Sequence, residues 1–356
     1  MAEQASTRPR LLTGDRPTGP LHLGHLVGSL DARIAAQDSH ECFVIVADLH
    51  TLTTRPQKKY LDALPANVRD VVLDQLSVGV DPTKTTLYLQ SGVPAVYDLS
   101  VLLSMLIPKA RLEQVTSLKS MAAAAQQGAD AMTLGLLGYP VLQAADILMA
   151  RATLVPVGRD NEEHIDIARE LASVFNDLYG EVFPLPQAKL SRTSTLPGVN
   201  AGLGGTGTKM SKSLGNAIYL ADSEQTVADK LRTVDVDERH ADGTSPLLAF
   251  AQAFCTTDAA DELERDLTAG TLSAGAAHDA VGKAIEGRLG PIRARRAEIA
   301  ADTGLVEEVL VDGTIRAREV ANRTLQDVRA AMGFDPMWAA LVEATSKRAQ
   351  ARKRAH

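Results

Sequence analysis

The first half of the chain alternates short apolar runs with longer stretches of helical period. Leu11-Leu12-Thr13-Gly14 is an apolar run closing on glycine and predicts a first strand. Gly24 to Gln37 follows with Leu26, Leu30 and Ile34 at helical spacing. Cys42 to Ala47 is apolar throughout, as a strand buried on both faces requires. Tyr60 to Val78 returns Leu61, Leu64, Val68, Val72 and Leu76 to one stripe. Thr86 to Gln90 reads as a third strand, and Leu99 to Ile107 as a buried helix. Pro140 to Ala150 predicts another helix, with proline in its first turn. Leu154 to Val157 is strand-like and stops at Gly158, before an amphipathic helix over Asn161 to Leu178. Such alternation predicts an α/β fold: a Rossmann-like, doubly wound parallel sheet that binds ligands beyond the carboxyl ends of its strands.

The texture then changes. Thr193 to Thr208 is rich in Gly, Ser and Thr and predicts a mobile loop. Beyond Glu224 the strong patterns are helical: Ser245 to Phe254, Ala276 to Thr303 and Arg316 to Ala331. A chain of 356 residues suits two unequal domains. The expected division is an α/β domain over 1–215 and an all-helical domain over 216–356, with the last helix able to return to the first domain.

Composition narrows the classes. A hydrophobic fraction of 45% and a charged fraction of 23% are those of a globular protein, and a net charge of −7 excludes a surface coated in nucleic acid. Any RNA must meet a local basic surface. The tail cations Lys347, Arg348, Arg352, Lys353 and Arg354 fit either such a contact or a solvated helix end. Cys42 and Cys255 make neither a disulfide scaffold nor a zinc knuckle. Met1 to Arg10 is polar and no run is long enough to span a bilayer, so the expectation is a cytoplasmic protein with no membrane partner.

Candidate chemistry sits in two segments. Gly14-Asp15-Arg16-Pro17-Thr18-Gly19-Pro20-Leu21-His22-Leu23-Gly24-His25 crowds glycine and proline into a strand-to-helix turn, then brackets a glycine with imidazoles. The helix N-terminus it opens favours anions, and the histidines can donate to phosphate oxygens. Lys209-Met210-Ser211-Lys212-Ser213 follows a glycine-rich approach and offers two ammonium groups to a triphosphate. Together these segments resemble the HIGH and KMSKS signatures of class I aminoacyl-tRNA synthetases. The resemblance implies that His22, His25, Lys209 and Lys212 act on ATP, with Mg2+ assisting and no metal ligated by the protein alone. It also implies ATP contacts from Arg16, Pro17, Thr18, Gly24, Lys119, Gly158, Arg159, Asp160, Met210, Ser211 and Ser213.

Helical spacing places Tyr139, Gln143 and Asp146 on one face. An aspartate among Ala, Ile and Leu needs a partner, and an indole N–H or a phenol O–H would serve. This segment resembles both the tryptophanyl and the tyrosyl enzymes. The continuation Leu154 to Ile165, and the helical region around Leu289 to Arg296 and Ala317 to Ala321, resemble the bacterial tryptophanyl pattern. The resemblance implies an amino-acid pocket of Tyr139, Gln143, Asp146, Asn161, His50 and Leu12. It further implies L-tryptophan and tRNA(Trp) as partners and a homodimer; tyrosine, or a regulatory paralogue, is the alternative. The apolar stretch Val101 to Ile107 is either a partner-facing helix or ordinary core. Arg16, Asn161 and the long loop from Leu196 to Thr208 depart from the family pattern.

Overall fold

Five strands form one parallel sheet in the order β3-β2-β1-β4-β5. They are β1 (Arg10–Asp15), β2 (Glu41–Val46), β3 (Thr85–Leu89), β4 (Leu154–Val157) and β5 (Gln187–Leu190). The computed structural model describes residues 8–124, 132–158, 162–190, 196–199, 209–236 and 245–354. Most of the expected mobile loop and the residues Arg159, Asp160 and Asn161 lie outside the described residues, and Lys119 is described by its backbone alone.

Successive side chains of a strand point to opposite faces, and β2 shows this directly. Phe43 and Ile45 enter a core built with the helices Ala95–Ser104, Tyr139–Met149 and Glu162–Tyr179. Val44 and Val46 enter a second core with Leu23–Ala36 and Lys58–Val78. Both faces of the strand are thus covered, which is why its sequence is apolar without alternation. The strand order reverses between β1 and β4, so a crevice opens at their carboxyl ends.

Local differences from the sequence reading have physical causes. The helix expected over Gly24 to Gln37 contains a π-helical segment, Leu26–Leu30, immediately after the histidine turn. The strand β5 has no β-branched residue and only four positions at a sheet edge, so it left no pattern to read. The helix expected over Leu99 to Ile107 is Ala95–Ser104. It buries Leu99 and Leu103 but leaves Tyr97 44%, Val101 56% and Met105 70% exposed. It is therefore amphipathic rather than buried.

Beyond residue 245 the described chain is helical: Pro246–Phe254, Thr257–Ala269, Ala274–Ala301, Leu305–Ala331 and Phe334–Arg354. Leu305–Ala331 returns to the sheet and lies along the open edge of β3. Thr314 Oγ1 accepts from Leu89 N at 3.1 Å, and Arg316 donates to the carbonyls of Pro82 and Thr85. An edge strand with free backbone groups is a template for wrong pairing, and this helix closes it. Gly313 makes the approach possible, because a Cβ there would lie 1.8 Å from the Leu87 carbonyl oxygen. Among the described residues no helix is long and apolar enough to cross a membrane.

Gly313→Ala is expected to lower unfolding free energy by about 3 kcal/mol, because backbone faces backbone and neither side can yield. Gly287, on the Ala274–Ala301 helix, has open space around its missing Cβ. Gly287→Ala is expected to raise stability by roughly 0.5–1 kcal/mol. Urea denaturation of both variants checks the pair.

Candidate active site

The turn after β1 carries the first group of side chains. Leu21 N donates to Asp74 Oδ2 at 2.8 Å, and Leu23 N donates to the Ile218 carbonyl at 2.9 Å. His22 pairs with Tyr219 in an antiparallel bridge. The chain just beyond Lys209 to Ser213 is therefore stitched to the histidine turn. The rings of His22 and His25 lie with centroids 3.8 Å apart, and His22 N donates to His25 Nδ1 at 3.2 Å. His22 is buried and its Nδ1 has no partner. The space that a Cβ on Gly24 would need is filled by the His22 ring at 3.0 Å. A side chain there would press on the imidazole, which would have to shift by a few tenths of an ångström.

The lysine segment approaches from the other side. Met210 N donates to the Leu196 carbonyl at 2.9 Å, and Ser211 N donates to Asn216 Oδ1 at 2.8 Å. Met210 is buried, which turns the flanking residues outward. Lys212 Nζ donates to the Gly19 carbonyl at 2.6 Å, inside the histidine turn. Gly19 sits at φ +125°, a left-handed conformation that a side chain would strain. Of the turn residues expected near ATP, Pro17 is buried, Thr18 half-buried and Arg16 exposed; Lys209, Ser213 and Gly158 are exposed.

Electrostatics link these groups. Burial lowers His22 to about 3, with His25, Lys212 and Lys209 adding repulsion. Burial lowers His25 to about 4, with Asp15 opposing and Lys212 reinforcing. Burial likewise lowers Lys212 to about 8, against the pull of Asp15 and Asp74. Asp15 is the counter-charge beneath them. Burial pushes its carboxyl up, but Arg33 at 2.8 Å and the nearby His25 bring it below the usual range. Gln75 Nε2 adds a donor to it at 2.7 Å. Burial and mutual repulsion thus hold both imidazoles in the neutral form beside the Lys212 ammonium.

The second group occupies the carboxyl ends of β2 and β3 and the helix Tyr139–Met149. Asp146 is 2% exposed. Its Oδ2 accepts from His50 Nε2 at 3.0 Å and from Gln90 Nε2 at 2.7 Å. Its Oδ1 is buried with no partner. Burial pushes this carboxyl up, with His50 and Gln90 opposing. Gln90 was not expected at the site: it read as the end of a strand, whereas it opens a 3-10 turn after Leu89. Its Oε1 accepts from Leu49 N at 3.1 Å and His50 N at 3.4 Å, so it also fixes the start of the Asp48–Thr54 helix. Tyr139 lies between the rings of His50 and His164, at 4.3 and 5.4 Å. Gln143 Oε1 lies 2.8 Å from His164 Nδ1. Leu12 is buried inside β1, in the core shared with Ala144 and Ala145.

Two histidines held below their unfolded value of about 6.5 tie stability to pH. Below 6.5 the unfolded chain binds protons that folded His22 and His25 refuse. Their contribution is present above pH 6.5 and lost as pH falls through about 4 and 3. The combined variant His22→Asn, His25→Asn is expected to lose less stability than the parent between pH 7 and 5, read from urea midpoints at each pH.

Comparison with known proteins identifies the family. Residues 4–289 match the family model for tRNA synthetases class I (W and Y). The tryptophan–tRNA ligase of Treponema pallidum (strain Nichols) is 48% identical over 333 residues, covering 91% of this chain and 97% of that protein. That of Chlamydia caviae is 40% identical, over 93% of this chain and 97% of that protein. The tryptophanyl-tRNA synthetase of Campylobacter jejuni, solved with ADP and tryptophan, superposes with a TM-score of 0.78 at 29% identity, over 91% of this chain and 99% of that one. The chain therefore belongs to the class I tRNA synthetases, within their tryptophan–tRNA ligase family.

Proposed function

We infer that this protein activates L-tryptophan with ATP and transfers the acyl group to the 3′-terminal ribose of tRNA(Trp). The observation that carries the amino-acid half is the unpaired Oδ1 of Asp146. A buried acceptor without a donor costs about 1–3 kcal/mol, which a ligand N–H or O–H recovers on binding. That chemistry suits indole or phenol equally, and the tryptophan–tRNA ligase relatives favour indole.

The ATP half follows from charge. The tryptophan carboxylate attacks the α-phosphorus in line, so no side-chain nucleophile is needed and catalysis is positioning with charge stabilisation. His22 and His25 are neutral at pH 7 and serve as N–H donors to phosphate oxygens; the unpartnered His22 Nδ1 supports that reading. Lys212 and Lys209 meet the negative charge that builds on leaving pyrophosphate. Arg16, Pro17, Thr18, Gly24, Lys119, Gly158, Arg159, Asp160, Met210, Ser211 and Ser213 complete the proposed ATP site, and Asn161, Tyr139, Gln143, His50 and Leu12 the amino-acid site. No group of three or more His, Cys, Asp or Glu among the described residues forms a metal cage. Mg2+ would be held chiefly by the ATP phosphates that it accompanies, and no step here is routed through it.

The division at residue 215 gives the helical half to tRNA. A homodimer accounts for the exposed stripe Tyr97, Val101 and Met105, spaced four residues apart along one helix.

ATP–pyrophosphate exchange tests the reaction: stimulation by tryptophan and not by tyrosine is expected, and the reverse would overturn the choice. Asp146→Asn is expected to weaken tryptophan binding at least tenfold while changing the ATP Kd less than about twofold. Equal weakening of both would make Asp146 structural. Val101→Glu is expected to convert a dimer to a monomer by light scattering, and an unchanged mass would move the interface elsewhere.

A further inference from the structure

His164 is 1% exposed and uses both ring nitrogens. Its Nδ1 lies 2.8 Å from Gln143 Oε1, on the helix that also carries Tyr139 and Asp146. Its Nε2 lies 2.7 Å from the Ser117 hydroxyl, at the start of the Thr116–Ala124 helix. The neighbouring Glu163 holds that start in place, accepting from Thr116 N at 2.8 Å and from its hydroxyl at 3.0 Å. A neutral imidazole has one donor and one acceptor nitrogen. With a carbonyl oxygen facing Nδ1, that nitrogen is the donor, and Nε2 takes the Ser117 proton.

This arrangement decides what Gln143 offers to a ligand. Its oxygen is engaged by His164, and no other hydrogen bond joins the Gln143 side chain to a described residue. The oxygen keeps a second lone pair, held in the direction His164 sets, and the amide nitrogen keeps both its donors, beside Tyr139 and one turn from Asp146. A donor pair suits an oxygen anion and repels an ammonium group.

We propose that His164 is a positioning residue that holds the Gln143 amide by its oxygen, so that Gln143 donates to the carboxylate of the bound amino acid rather than accepting from its ammonium. The proposal rests on the reading of this pocket as the tryptophan site. Asp146 then grips the side-chain end of the ligand and Gln143 its carboxylate end. The same ring fixes the helix that bears Lys119, so one buried histidine registers the amino-acid helix against an element assigned to ATP.

Three ligands separate the possibilities by calorimetry on the full-length protein: tryptophan, indole-3-propionate, which lacks the ammonium, and tryptamine, which lacks the carboxylate. His164→Ala is expected to weaken tryptophan and indole-3-propionate roughly tenfold and tryptamine less than about twofold. His164→Asn, whose amide nitrogen can replace the Nδ1 donor, is expected to restore binding to within about threefold. Gln143→Met keeps length and removes the amide, and should reproduce the selective loss even if His164→Ala does not fold. Equal losses for all three ligands, a loss confined to tryptamine, or no change at all would each overturn the proposal. Parent protein that binds none of the three would remove the tryptophan reading itself, an outcome distinct from a failure of selectivity.

Discussion

A carboxylate taken out of water must be met by donors, and the centre of this molecule meets Asp146 with two. His50 follows β2, Gln90 follows β3, and Asp146 stands on the helix that leads into β4. All three depend on the register of the parallel sheet, so a slipped strand would leave a buried charge unpaired. Both donors converge on one oxygen, and the other stays open. The fold thus assembles a buried carboxylate that keeps one acceptor oxygen unused.

The same logic, with the sign reversed, governs the far side of the crevice. There the histidine turn and the lysine segment bring donors and cations together, and the compensating charge is set below them. Asp15 is paired with Arg33 and Gln75. Asp74 receives Leu21 N from the turn and Arg296 from the helical half. Arg296 also reaches Asp70 at 3.0 Å. The backbone of the histidine turn is thus held through one carboxylate by a helix more than 200 residues away in sequence. The helical half therefore braces the histidine turn as well as extending the surface.

Much of this was legible in the chain. Four of the five strands, the histidine turn, the lysine segment and the face shared by Tyr139, Gln143 and Asp146 are local patterns, and local patterns survive without coordinates. What escaped reading was non-local. Gln90 looks like the last residue of a strand until His50 and Asp146 are seen beside it. Arg33 lies on a helix of ordinary amphipathic spacing, and nothing nearby marks it as the partner of Asp15. His164 sits within an apolar stripe, where a buried histidine is unremarkable. The edge strand β5 lacks the residues that announce a strand. Single positions gain their roles from neighbours 18 to 96 residues distant, and periodicity carries no such information.

The sealed edge of β3 has a consequence for the order in which the protein is made. Leu89 and Thr314 are 225 residues apart, and the contact between them closes a strand synthesised early with a helix synthesised near the end. Until that helix emerges from the ribosome, β3 offers its backbone groups to any extended chain nearby. Contacts of such sequence separation form late and slowly. The nascent sheet must then wait with one flank bare, and truncation before the returning helix removes a guard against self-association.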